Sequence, residues 1–409
     1  MTYKNPALYI YENSAWRQLG SGFSINNPEV FSTLGLAENV AVNSGMFPSG
    51  TFTPADNLQS RISVELGRFR TWAGGSHSLY LGEFGIPNNK GGDQASWNAL
   101  LPIIYKRAQA DNFSLLSYWA TGHRWGTGYN LSPYNTSTTP GTSWSGTAIE
   151  SVVDEVFDYN YSHGINYAGM EFGTDDATAA NAPAESDFEY HANKGYSVFR
   201  YPLGEPIWTS QWLWDPATSS LRSGDLSHVE LVLNRAQATG VQIVLDVLHP
   251  GGGAKYATID GNTLATTAGY DEYIDYITAL LNHTFNDNNA VSTSLKNHPA
   301  IYAIDICNEP ANVTWQQWET ISQGIIDYIR DSVGLNWNGL VMVPLGGYSG
   351  VQDLTFRHTG GPWITDSANN FMYEGHYYPE VSHVGNFDTT YASDVSASGS
   401  FSGQGSFTY

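Results

Sequence analysis

The chain has 409 residues with 17 basic against 39 acidic side chains, a formal charge of −22. That balance repels nucleic acid and anionic membrane surfaces, and no apolar stretch approaches the length of a membrane span, so neither is an expected partner. The 13 Trp, 26 Tyr and 42 Gly, with few charges, fit a globular protein that offers aromatic faces to a neutral ligand, although most aromatics of any such chain are core.

Residues 1–55 read as an extension of short strands and loops, with Leu8-Tyr9-Ile10-Tyr11 and Trp16-Arg17-Gln18-Leu19 as alternating pieces, and residues 56–409 as the main domain. Pro54-Ala55-Asp56 starts a helix whose apolar positions, Leu58, Ile62, Leu66 and Phe69, recur at helical spacing. Leu79–Gly85 is a strand ending in Glu83 between two glycines, Ser96–Gln109 is helical, and Phe113–Trp119 is a strand running into a Gly- and aromatic-rich loop. Strand and helix then alternate: strands begin near Ile165, Ser197, Val241, Ile301, Leu340 and Phe371, with helices at Glu185–Gly195, Ser227–Thr239, Asp271–Phe285 and Trp315–Val333. The tail Val395–Tyr409 is Ser/Gly-rich and reads as loop. Eight strands with intervening helices imply a parallel sheet, and a (β/α)8 barrel rather than an open doubly wound sheet, since no Gly-rich fingerprint follows the first strand. The single cysteine, Cys307, excludes an intramolecular disulfide and sits in an apolar run as a small core residue.

Polar side chains recur where the apolar runs end: Glu83, Trp119, Arg200, His249, Asn308, Glu309, His376 and Tyr378. One buried His or Arg is ordinarily structural, but a whole set at one end of successive strands costs desolvation at each position and needs another reason. Two carboxylates at such a barrel mouth suit glycoside hydrolysis, in which one protonates the leaving oxygen and the other attacks the anomeric carbon or activates water. Asn308-Glu309-Pro310 supplies the first. Glu83 is the best partner by context and Glu374 its strongest rival, while Glu171, Glu205 and Glu380 are weaker candidates. No His-Glu-x-x-His or Cys/His spacing points to a metal, and no cofactor motif is present. The loops at Asp175-Asp176 and Asn286–Asn289 read as solvated turns. Trp125, Trp144, Trp208, Trp212 and Trp214 are expected near the mouth as stacking platforms.

These residues resemble glycoside hydrolase family 5, a retaining family of (β/α)8 barrels, over nearly everything after Asp56. Residues 192–202, with Arg200, resemble its second strand, and 240–249, with His249, its third. Asn308-Glu309-Pro310 resembles the fourth, Gly375-His376-Tyr377-Tyr378 the sixth, Gly82-Glu83-Phe84-Gly85 the seventh and Ser117-Tyr118-Trp119-Ala120 the eighth. The resemblance implies Glu309 as acid/base, Glu83 as nucleophile, Asn308 on the sugar 2-hydroxyl, Arg200 and Tyr378 holding Glu83 ionised, and His249, His376 and Trp119 lining the subsite.

Two departures stand out. The order is that of a circular permutation, strands seven and eight preceding one to six; exchange of two strands with a neighbouring chain would give the same order. And Asp246-Val247-Leu248-His249 has one residue more than the family's Asp-x-His. The implied activity is endo-cleavage of a β-1,4-linked polysaccharide, β-glucan or cellulose first and mannan or another β-glycan as the alternative, by a monomer without cofactors. The reading of another class is an inactive barrel that binds glycans. An extracellular location is expected, by a trimmed leader or another export route, since the first residues lack the apolar run of a signal peptide.

Overall fold

The computed structural model describes residues 8–12, 15–19, 50–154, 161–168, 170, 182–205, 213–250, 257–259, 261–380, 382, 383, 385–399 and 406–408. The chain divides into two units, Met1–Pro48 and Ser49–Tyr409. The described part of the first is an antiparallel hairpin, Leu8–Glu12 against Ala15–Leu19, as the alternating pattern predicts.

The second unit is a closed parallel barrel. Its strands in chain order are β1 (Ser78–Phe84), β2 (Leu115–Thr121), β3 (Ser162–Tyr167), β4 (Val198–Glu205), β5 (Gln242–Pro250), β6 (Ile301–Asp305), β7 (Leu340–Pro344) and β8 (Phe371–Tyr377). Each pairs with its chain neighbour, and β8 closes the ring on β1. β1 and β2 thus complete the barrel of their own chain. Apolar residues at alternate positions go to two separate clusters, as strands buried on both faces require. Tyr80, Leu115, Val198, Val244, Ala303, Met342 and Met372 form one, which plugs the barrel interior. The larger cluster includes Leu79, Leu81, Phe199, Leu245 and Val343 and joins the strands to the surrounding helices.

Those helices are α1 (Asn57–Ala73), α2 (Leu101–Ala110), α3 (Glu185–Asn193), α4 (Ser223–Thr239), α5 (Thr267–Asn282), α6 (Trp315–Arg330) and α7 (Tyr391–Ala397). Asp56 caps α1 by accepting from the Gln59 amide at 2.9 Å. Between β7 and β8 stands only a 3-10 turn, Val351–Thr355. The tail differs from its loop expectation. α7 is capped by Thr390, and Phe407–Thr408 pairs with Thr51–Phe52, where the Phe52 and Phe407 rings meet at 5.2 Å. A Ser/Gly-rich composition hides these because each is short and rests on a few side chains. α1 is also tied to the segment beyond β8, with Tyr391 donating to Asp56 at 2.9 Å.

Three strands change register as they reach the mouth. Against β8, β1 shifts between the Leu81 and Glu83 pairings; against β3, β2 shifts between Tyr118 and Thr121; and against β4, β5 spends Asp246–His249 on Pro202–Gly204. An added residue in one strand reverses which face the following side chain takes. In β5 the bulge absorbs the extra residue of Asp246-Val247-Leu248-His249, so Asp246 and His249 face the same way and meet through Asp246 Oδ2 and His249 Nδ1 at 2.7 Å. In β1 it brings Glu83 to the interior face, while Phe84 turns outward onto Tyr105.

Candidate active site

All eight residues singled out at the strand ends converge on one end of the barrel. Arg200 is their hub. It is fully buried and donates through Nη1 to Glu83 Oε1 at 3.0 Å and to Asn166 Oδ1 at 3.2 Å. Through Nη2 it reaches Asp305 Oδ2 at 2.7 Å and Asn308 Oδ1 at 2.9 Å, with Asp246 Oδ2 at 3.2 Å and Glu374 Oε1 at 3.3 Å from the same guanidinium. A planar fork with five N–H donors can serve this many acceptors where an ammonium cannot.

Glu83 is 4% exposed and held from both sides, by Arg200 and by the Tyr378 hydroxyl, which donates to Oε2 at 2.9 Å. Burial raises its carboxyl above the ordinary value and Glu309 adds to the rise, while His376 and Arg200 oppose it. Glu309 lies beyond the end of β6, in a turn where its φ is +46°, and its side chain is 21% exposed. A non-glycine residue in that region carries strain of about 1–3 kcal/mol. His376, from β8, lies between the carboxylates: Nδ1 is 2.9 Å from Glu309 Oε1 and 3.6 Å from Glu83 Oε2, and Nε2 is 3.1 Å from Glu374 Oε1. Burial disfavours its imidazolium form, but Glu83, Glu309 and Glu374 outweigh that and raise its pKa to about 10.

Glu83, Glu309 and His376 bring one ligand-type atom each within 4.8 Å of one another. Both His376 nitrogens already face carboxylates, so the ring has no lone pair to offer a metal, and the triplet reads as an acid–base cluster. The same spacing matters for chemistry: carboxyls about 5–5.5 Å apart attack directly, whereas those about 6.5–9.5 Å apart leave room for a water.

The remaining residues form one wall of the mouth. Trp119 stacks on His249 at 6.1 Å and 10°, and its indole N–H donates to the Tyr129 hydroxyl at 2.8 Å. His249 Nε2 lies 3.4 Å from the Asn308 amide. A pocket of about 400 Å³ opens beside them, lined by Trp119, Tyr129, Asn130, Tyr378, Asn386 and Asp388 among others.

Several expectations need revision. Glu374, the rival partner, is fully buried behind His376 and Arg200 and does not reach the cleft. Glu380 receives the Gly385 amide and shapes its own loop. Glu171, Trp208, Trp212, Asp175 and Asp176 lie outside the described residues, as does the Glu205 side chain. Trp214 is buried, and Trp144 stacks on Tyr190 and donates to Asp187, so both serve packing rather than an open platform. Asp287 accepts from Asn289 and Val291 within its own turn.

Asn166 and Asp305 belong to no motif in the sequence, and Asp246 figures there only as the start of Asp246-Val247-Leu248-His249. Each is a fully buried polar residue on a barrel strand, and Asp246 and Asp305 interrupt apolar runs, which is the signal that could have found those two.

The cellulase (glycosyl hydrolase family 5) model matches residues 158–400, leaving β1 and β2 outside the match. No curated protein matches the chain. Among solved structures, the Pseudomonas stutzeri endoglucanase Cel5A in complex with cellobiose is 21% identical, with 55% of this chain and 62% of that one covered and a TM-score of 0.43. A second Cel5A structure, from a twinned data set, gives 21% identity, 55% and 64% coverage and a TM-score of 0.42. The catalytic domain of the major endoglucanase from Xanthomonas campestris pv. campestris gives 16%, 53% and 63%, and 0.31. Each match spans less than two thirds of the solved chain. The family model, by contrast, runs through the strands of Arg200, His249 and His376 and through Glu309, over more than half of this sequence: the chain belongs to glycosyl hydrolase family 5.

Proposed function

We propose that this protein is a retaining endo-β-glycanase that cleaves β-1,4-glucan by double displacement, with Glu83 as nucleophile and Glu309 as acid/base. The observation that carries the reading is the approach of a Glu83 and a Glu309 oxygen to within 4.8 Å at the barrel mouth, one carboxyl buried and gripped by Arg200 and Tyr378, the other more open. In the first step a Glu83 oxygen attacks the anomeric carbon while Glu309 gives its proton to the departing glycosidic oxygen. The C–O bond to the leaving sugar breaks as the glycosyl–Glu83 ester forms. In the second, Glu309 takes a proton from water, whose oxygen displaces Glu83, so configuration is retained. Membership of a cellulase family and the aromatic wall at Trp119 support a neutral β-glucan as substrate; mannan is the alternative within the same chemistry. A secreted monomer is the setting we propose for it.

We further propose that the chain is a circular permutation of its family's barrel, in the strand order seven, eight, one to six. Two facts support this. Glu83 precedes the family match in sequence yet adjoins Glu309 in space, and α1, at the start of the barrel unit, is bonded to the segment beyond β8.

The test is product stereochemistry on a panel of soluble β-glucans and mannans, followed by NMR from the first minutes. The β-anomer of the new reducing end should appear first and equilibrate later. Initial formation of the α-anomer would remove the double-displacement mechanism, and tight binding without reducing-sugar release would favour an inactive glycan-binding barrel.

A further inference from the structure

Behind the two proposed catalytic carboxylates lies a third that this mechanism does not use. Glu374 is fully buried, on the strand that carries His376 two residues later, and the two side chains share a face and meet at 3.1 Å. The space it occupies exists because residue 82 is glycine: a Cβ built there would fall 1.8 Å from Glu374 Oε1. Gly82 is also the residue at which β1 shifts register to aim Glu83 inward. One missing side chain therefore both turns the nucleophile candidate and houses a carboxylate beneath it.

We infer that Glu374 is a positioning residue: it holds the His376 ring and its positive charge so that Nδ1–H donates to Glu309 Oε1, leaving the other Glu309 oxygen for the glycosidic oxygen. The groups around this pair come from four strands or their ends. Glu83 and Tyr80 face it from β1, Arg200 from β4, Asp246 from β5, and Asp305 and Glu309 from β6 and the turn after it. Burial raises the Asp305 carboxyl well above its usual value, with Glu374 adding to the rise and Arg200 opposing it. Glu374 itself is lowered: burial opposes its charge, but Arg200, His376 and a hydrogen bond with Asp305 prevail. Glu374, His376 and Glu309 then run in series, with contacts of 3.1 and 2.9 Å, from the barrel interior to the mouth. Without the Glu374 charge the imidazolium loses one of the three carboxylates that sustain it and gives up its proton at lower pH; Nδ1 then presents a lone pair to Glu309 instead of a donor.

This inference rests on Glu309 being the acid/base. The test is the pH profile of kcat/KM for Glu374→Gln, which keeps shape and removes charge. The basic limb should move down by about one pH unit or more, with KM changed by less than about threefold. Gly82→Ala, which must displace Glu374, should move the limb the same way, and should add nothing in a Glu374→Ala background where the space is free. An unmoved limb in Glu374→Gln, whether or not stability falls, would reduce Glu374 to a structural role and overturn the inference. Wild-type turnover in Glu309→Ala would instead overturn the acid/base assignment on which it rests.

Discussion

Glu83→Ala should lose about 10⁴-fold or more in turnover, because among the described residues no other carboxylate reaches the face from which Glu83 is proposed to attack. Glu374 is the rival candidate, but it is fully buried behind Arg200 and His376. Azide added to the variant, with an aryl β-glycoside carrying a good leaving group, should enter the vacated space and restore turnover. The product should be the α-glycosyl azide, inverted at the anomeric carbon. Glu309→Ala gives the complementary result. Loss of the proton donor should cost about 10²–10⁴-fold on substrates with poor leaving groups and far less on activated ones. Azide there should intercept the glycosyl–enzyme and yield the β-azide. The two azides of opposite configuration assign the two roles independently of each other. Full activity in Glu83→Ala, or the same anomer from both variants, would sink the assignment.

The eight strands could be read from the sequence because a parallel barrel buries both faces of each strand. Runs such as Ile301–Cys307 and Leu340–Leu345 are apolar almost throughout and stop abruptly, the first at Asn308 and the second at Gly346. The polar ends could be read for the same reason: Arg200 or His376 after such a run is an exception that packing does not explain. The details that make the end a site were not legible. The shift at Gly82 that turns Glu83 inward, and the one that reconciles Asp246 with His249, are relations between neighbouring strands, and a single sequence holds no register. Glu309 is a similar case. Its run suggests a carboxylate on a strand tip, whereas β6 ends at Asp305 and Glu309 sits in a turn at positive φ, tied down through the Asn308 amide to the Leu248 carbonyl at 2.8 Å. The partners of Arg200 are legible only afterwards, because Asp246 and Asp305 look like interruptions of apolar strands until one guanidinium joins them.

That guanidinium carries the largest expected effect on stability. Arg200→Met should destabilise the barrel unit by at least about 3–5 kcal/mol, the usual cost of leaving a buried charge without its partner. Here more than one is left, since Glu83, Asp246, Asp305 and Glu374 all lie against Arg200. Arg200→Lys keeps a charge but not the fork, and should fall between Met and wild type. The deficit should depend on pH in a definite sense. In wild type Glu374 is lowered, chiefly by Arg200 and His376 against burial, so its ionisation adds stability above the ordinary carboxylate value and that stability is lost as pH falls. In Arg200→Met the main lowering group is gone and burial raises the same carboxyl, so neutral pH penalises the folded state. The difference between the two proteins should therefore be greatest near pH 7 and shrink as pH falls through the raised carboxyl of the variant, closing only below the lowered Glu374 carboxyl of wild type. Denaturant melts at several pH values measure this directly. A difference that grows as pH falls would mean that Arg200 supports the barrel by packing rather than by neutralising its carboxylates.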